Sequence, residues 1–159
     1  MLEAERADQP YLEGMIHPAP TTKIDPKLAR GVFAGHLPAT ATKPAAVKLT
    51  FANTNYEMQL RPSGDVNAEV GDRIIGTIAA QARRIDKVGA GGRYVEPVFG
   101  RPRRVQGMVI AIEGGAVVVH AGVPIHCTPT APGQKAADFA VADFVSFDVL
   151  DGATFKQAE

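Results

Sequence analysis

The chain has 159 residues, of which 45% are hydrophobic and 21% charged, a mixture typical of one globular domain. Its 17 basic and 17 acidic residues give a formal net charge of +0, which excludes a protein that coats nucleic acid through bulk charge. The single cysteine, Cys127, excludes an internal disulfide, and the acidic N-terminus lacks the apolar run of a signal peptide. We therefore expect a cytoplasmic protein without a membrane span.

Residues 1–44 are predicted to form an irregular, proline-rich N-terminal arm. Six prolines are spread along it, so neither a sustained helix nor a central strand is expected. One short helix is predicted, with Asp25 as its cap, Pro26 at its first position and Gly31 at its end. Apolar residues between Tyr11 and Leu37 leave two interpretations open. The arm is either a floppy terminus or an extended segment packed on the barrel or on a neighbouring subunit.

From residue 45 onward, apolar and polar residues alternate with the period of a β-strand. The pattern predicts a hairpin with strands over 47–51 and 56–61, joined by a turn that contains two asparagines. The next strand follows Asp72, with Gly76 at a bulge or sharp bend. A helix over 78–88 is the competing interpretation, because alanine, glutamine and arginine there have good helix propensity.

The remaining chain is predicted as strands separated by loops. Residues 86–103 read as a long loop, followed by a strand over 105–112 and a turn at Gly114 and Gly115. Residues 117–127 are predicted as one continuous strand with a buried odd face and an exposed even face. One helical turn is expected around 134–139, and strands over 145–149 and 154–156 complete the chain. The predicted core residues here are Val117, Val119, Val123, Ile125, Val145, Phe147 and Val149.

Together these elements predict an all-β protein, a small closed or partly open barrel of about five to six strands. The predicted division is an arm over 1–44 and a barrel domain over 45–159. Residues 45–156 resemble an oligonucleotide/oligosaccharide-binding (OB) fold in architecture, while an SH3-like barrel and a β-sandwich remain open. Two strand entries, Val70-Gly71-Asp72 and Val141-Ala142-Asp143, look alike. We interpret them as a shared local solution, too short to indicate a repeat.

No catalytic set, metal site or cofactor is predicted. Ser63 lies in a turn and Ser146 on an outer strand face, and neither belongs to a nucleophile elbow. Cys127 is expected in the core, where a thiol is inert. His120 and His126 would lie about 20 Å apart on one extended strand, too far to share a metal.

One segment stands out by its charge and its interleaved aromatic residues. The candidate nucleic-acid-binding residues are Arg83, Arg84, Lys87, Arg93, Tyr94, Phe99, Arg101, Arg103 and Arg104. Arginines donate forked hydrogen bonds to phosphates, and aromatic rings stack on unpaired bases. The competing interpretation is a solvated loop whose basic side chains pair with the acidic C-terminal segment, which starts at Asp138, within or between chains.

The expected function is therefore a non-enzymatic, OB-like binding module, with single-stranded nucleic acid as its partner. The alternative is a homo-oligomeric structural protein, in which the N-terminal arm and the segregated charges join subunits.

Overall fold

The computed structural model describes residues 25–158, and it shows an all-β protein. Its strands are β1 (Ala29–Leu37), β2 (Ala46–Thr50), β3 (Glu57–Pro62), β4 (Arg73–Ala82), β5 (Asp86–Lys87), β6 (Tyr94–Glu96), β7 (Phe99–Gly100), β8 (Arg104–Glu113), β9 (Ala116–His120), β10 (Pro124–Pro129), β11 (Phe144–Asp148) and β12 (Thr154–Gln157). A 3₁₀ turn, Ala136–Asp138, precedes β11. Across this part of the chain, no helix has the length and apolar character needed to cross a membrane.

Five of these strands close into a barrel. The order around it is β1, β2, β3, β12 and β4, and β4 pairs back with β1. All neighbours are antiparallel except β3 and β12, which are parallel. The last strand of the chain is therefore inserted between two strands of the first half. The predicted all-β barrel is confirmed, whereas features specific to the OB fold are not.

The other strands extend the sheet beyond this barrel. Strands β8, β9 and β10 form an antiparallel meander, and β10 pairs in parallel with the C-terminal half of β4. Strand β11 lies on the other side of β8. A bridge between Ala82 and Val149 joins the end of β11 to β4. Strand β4 therefore contributes to both parts, and one continuous hydrophobic core runs through them.

The two halves of the chain repeat the same pairing pattern. Strands β1 and β2 pair with a register shift between Phe33 and Gly35, and β8 and β9 pair with a shift between Val109 and Ala111. Strand β3 then pairs in parallel with β12, as β10 does with β4. The similarity between the two strand entries is thus part of a larger internal repeat, and the interpretation as an isolated local solution is wrong.

The two matching turns end at Asp72 and Asp143. In each turn the aspartate N–H bonds to the carbonyl three residues earlier, and its side chain accepts the N–H of that same residue at 2.8 and 2.9 Å. The third position has positive φ in both turns, +97° at Gly71 and +82° at Ala142. This is a type II turn, whose third position favours glycine.

Exchanging glycine and alanine at these two positions is expected to change stability in opposite directions. Ala142→Gly should raise the free energy of unfolding by about 0.5–1 kcal/mol, because left-handed backbone strains a residue with a Cβ. Gly71→Ala should lower the free energy of unfolding by a similar amount. No atom lies within 4 Å of the added Cβ, so a steric clash does not contribute to the change. Urea unfolding measures both; a change of the same sign in the two variants would contradict the explanation.

The predicted core is confirmed. All seven residues named from the alternating pattern are buried, from Val117 at 0% exposure to Val149 at 5%. The strand interpretation of residues 78–88 holds as far as Ala82, so the competing helix is wrong. The expected helical turn forms at Ala136–Asp138, and the last predicted strand forms as β12.

The predicted short helix after Asp25 is wrong. Residues 25–28 form a turn, in which the Asp25 side chain accepts the N–H of Lys27 at 2.9 Å and its carbonyl accepts the N–H of Leu28 at 3.1 Å. Strand β1 begins at Ala29 and pairs with β2 and β4, although it lies within the predicted arm. The prolines at 26 and 38 stand outside β1, so they do not interrupt its pairing. The rest of the predicted arm up to residue 24 lies outside the described residues.

The single strand predicted over 117–127 is a hairpin. Strands β9 and β10 are joined by a turn at Gly122, whose φ is +96°. The alternation hides this turn because Val119 pairs with Ile125, so odd positions face odd positions across it. The even face is not uniformly exposed either, since Val118 is fully buried. The hairpin also brings His120 and His126 onto neighbouring strands, so the predicted separation of about 20 Å is wrong.

Two further expectations need correction. The predicted loop over 86–103 contains the three short strands β5, β6 and β7. Ser146, expected on an outer face, is only 3% exposed, because β11 lies between β8 and β5. Its hydroxyl accepts a hydrogen bond from the Arg104 side chain at 2.8 Å.

Candidate nucleic-acid interface

Three basic side chains of the candidate segment bind aspartates of the acidic C-terminal segment. Nζ of Lys87 lies 3.6 Å from Oδ2 of Asp143, Nη1 of Arg101 lies 2.9 Å from Oδ1 of Asp151, and Nη1 of Arg104 lies 2.8 Å from Oδ1 of Asp148. The interpretation that the basic segment pairs with the acidic one is confirmed for these residues within one chain. All three pairs are partly solvated, so each contributes only modestly to stability.

Two other arginines of the segment contact side chains outside the acidic C-terminal segment. Nε of Arg84 lies 3.3 Å from Oδ1 of Asp86, with both side chains exposed. Nη1 of Arg93 lies 3.4 Å from Nδ1 of His120. Burial, and then the neighbouring charge of Arg93, lower the pKa of His120, so a neutral ring can accept this hydrogen bond.

Four arginines of the segment line one open cleft, which we call the arginine cleft. It has a volume of about 1040 Å³ and is lined by Arg83, Glu96, Pro97, Val98, Arg101, Arg103, Arg104, Asp148, Val149, Leu150 and Asp151. Four of the nine predicted site residues are therefore brought together. The other five, Arg84, Lys87, Arg93, Tyr94 and Phe99, do not line it.

Arg83 and Arg103 approach the cleft from opposite sides of the end of β11. The N–H of Arg83 donates to the carbonyl of Asp148, and the carbonyl of Arg103 accepts the N–H of Val149. Two strand spacings place their backbones about 10 Å apart. Within residues 25–158 neither side chain forms an ion pair. No carboxylate of residues 25–158 therefore competes with an anion in the cleft for either guanidinium group.

The two aromatic candidates differ in their exposure. Phe99 is 69% exposed and directly follows Val98, which lines the arginine cleft. Tyr94 is half-buried, and its hydroxyl donates to Oε1 of Gln106 at 3.3 Å. Phe99 thus offers an exposed ring one residue along the chain from the cleft lining, whereas Tyr94 is partly used in packing.

No family model, curated protein or solved structure matches this chain. The chemistry of the cleft is therefore the basis for inferring a function.

Of the three reactive side chains considered from the sequence, Cys127 and Ser146 are buried, whereas Ser63 is exposed. Cys127 is fully buried, and burial raises the pKa of its thiol, which disfavours the nucleophilic thiolate. Ser63 is exposed after β3, and Ser146 is bonded to Arg104. In the part of the chain that the structure describes, no group of three or more histidine, cysteine, aspartate or glutamate side chains could hold a metal.

Tyr56 positions one wall of the arginine cleft, and the sequence pattern did not single it out. Its hydroxyl donates to the carbonyl of Ala121 at 2.8 Å and accepts the N–H of Val95 at 2.9 Å. Burial raises its pKa, so the hydroxyl stays protonated. Val95 belongs to β6, which leads directly into Glu96 and Pro97 of the cleft. Tyr56 falls on the same alternating positions as the core residues Met58 and Leu60. Alternation therefore predicted that it packs in the core, but gave no sign of its hydrogen bonds.

Proposed function

We propose that this protein is a non-enzymatic, cytoplasmic binding module that holds single-stranded nucleic acid in the arginine cleft. The observation that carries the proposal is the placement of Arg83 and Arg103 on opposite sides of the same β11 end. A phosphate between them would receive forked, charge-assisted hydrogen bonds from two arginines. Because the cleft is open along the surface, a chain of phosphates can enter it without rearrangement of the barrel.

Phe99 supports an unpaired strand over a duplex as the ligand. Its exposed ring follows a cleft residue in the chain, and base stacking on such a ring requires bases that are not paired. The three ion pairs with the C-terminal aspartates orient the basic segment. They also keep its net attraction for anions moderate, which suits reversible binding.

The direct test is fluorescence anisotropy with a labelled oligonucleotide of roughly 12 nucleotides at low salt. The double variant Arg83→Gln/Arg103→Gln is expected to weaken binding by about tenfold or more. It should also flatten the dependence of log affinity on log salt by roughly 0.7, because the one phosphate held between the two arginines is no longer neutralised. Because neither arginine has an ion-pair partner among residues 25–158, the variant should fold normally.

Two comparisons separate charge from stacking. The control Arg30→Gln/Arg73→Gln removes two exposed arginines from β1 and β4, outside the arginine cleft, and should leave the salt dependence unchanged. Phe99→Ala should cost about 1–3 kcal/mol of binding free energy while preserving the salt dependence. An oligoglutamate of equal charge that binds as tightly would contradict nucleic acid as the ligand.

The alternative function is homo-oligomeric assembly. The ion pairs within one chain already satisfy Lys87, Arg101 and Arg104, so these charges need no second subunit. Absence of oligonucleotide binding at tens of micromolar protein, together with a lower mass of the double variant in light scattering, would favour assembly instead.

A further inference from the structure

A second, smaller cleft adjoins the arginine cleft. Its volume is about 420 Å³, and its lining includes Arg61, Gln81, Thr128 and Thr154. Leu150 and Asp151 line both clefts, so the two are separated only by this short connection between β11 and β12. Arginine side chains contribute to the lining of both clefts, with Asp151 between them, and we call the two clefts together the groove.

The carboxylate of Asp151 bridges the two regions. It lies 2.9 Å from Nη1 of Arg101 and 3.8 Å from Nη2 of Arg61, while about half of its side chain stays exposed, at 56%. Gly152 follows at φ +108°, and a Cβ there would lie 3.5 Å from the Arg61 guanidinium carbon. The Arg61 guanidinium group therefore lies close to the backbone beside Asp151.

A carboxylate held between two guanidinium groups has the chemistry of a bound phosphate. Arginine forks recognise carboxylate and phosphate oxygens with the same geometry, so the two anions compete for the same donors. Asp151 is solvated on one side, and exposed ion pairs of this kind contribute little to stability. A phosphate could therefore displace it at small cost.

We propose that Arg61 and Arg101 hold a second phosphate of the strand bound in the arginine cleft, and that Asp151 is a built-in competitor for that position. This inference rests on the proposed function and adds Arg61 and Asp151 to the binding site. The bound strand runs along the connection between β11 and β12, from Arg83 and Arg103 to Arg61. Competition by Asp151 for Arg61 and Arg101 then lowers the affinity of the groove for the strand.

Asp151→Asn is the first variant to test. It should bind the oligonucleotide of roughly 12 nucleotides about 3- to 10-fold more tightly, because both guanidinium groups are released. The salt dependence should stay close to that of the wild type, because the same phosphates are neutralised once Asp151 is displaced. The matched control is Glu113→Gln, which removes a carboxylate paired with Lys27 at 3.2 Å at the opposite end of β8 from Arg104. It should change affinity only slightly.

Arg61→Gln tests the second position without depending on Asp151. It should weaken binding of the roughly 12-nucleotide strand several-fold and leave a strand of about 4 nucleotides unaffected, since the short strand fills only the arginine cleft. Equal effects on both lengths would overturn the inference.

The outcomes separate this inference from the proposed function. If wild-type protein binds and Arg83→Gln/Arg103→Gln does not, while Asp151→Asn and Arg61→Gln match wild type, the second position is wrong and the proposed function stands. If none of the proteins binds, the proposed function fails and the inference fails with it. Binding by Asp151→Asn alone would support Asp151 as the competitor that limits the groove.

Discussion

Phe155→Ala is expected to lower the free energy of unfolding by about 3–5 kcal/mol. Phe155 is 1% exposed and lies in β12, opposite Ile78 of β4 and Pro62 of β3. Its removal leaves a cavity in the hydrophobic core next to β12, and the paired backbones of β3 and β4 limit collapse of the site. Because β12 connects β3 to β4 and so completes the five-stranded barrel, the lost packing weakens the strand on which closure of the barrel depends.

Urea unfolding followed by circular dichroism measures this loss. Phe99→Ala is the matched control, since it removes the same ring from a site that is 69% exposed and should change stability by about 0.5 kcal/mol or less. Phe155→Leu should restore most of the lost stability because it refills much of the cavity. A cost for Phe155→Ala no greater than that of the control would show that β12 is not required for the closed barrel.

Gly107→Ala is expected to destabilise the protein by about 1–3 kcal/mol, near the upper end of that range. Gly107 is buried in β8, and an added Cβ would collide with the carbonyl of His120 on β9 and lie 3.1 Å from Cα of Ala121. These obstacles are backbone atoms of a paired strand, so no side-chain rotation can relieve the contact. The pairing between β8 and β9 must shift instead.

Gly89→Ala is the control for this variant. Gly89 has no atom within 4 Å of an added Cβ and no positive φ, so the exchange should be nearly neutral. The equivalent position in the other half of the repeat, Gly31, faces the carbonyl of Thr50 in the same way. Gly31→Ala should therefore behave like Gly107→Ala. If Gly107→Ala and Gly89→Ala had equal stability, the close approach of β8 and β9 would be disproved.

The candidate site was only partly predictable from the sequence. The charge cluster located the basic segment, and the segregation of charge suggested its acidic partners, which the structure confirms for Lys87, Arg101 and Arg104. The sequence could not distinguish these residues from Arg83 and Arg103, because that depends on which side chains the folded sheet brings within reach of a carboxylate. Arg61 and Tyr56 were missed for the same reason, since their partners are 90 and 39 residues away.

Local alternation by itself determined the all-β class, most of the longer strands and the face of each that carries the core residues. Side chains at successive strand positions point to opposite faces, so Val117, Val145 and Phe147 could be assigned to the core without knowledge of pairing. Alternation does not show which strands pair, and it does not reveal a turn that leaves the same alternate positions on the buried face. Tertiary structure alone therefore decided that residues 117–127 fold into a hairpin and that β1 joins the barrel. It also decided that β12 closes the barrel. The strands that pair with β12 are distant from it in sequence, and their register is the one that places the apolar face of each strand in the shared core.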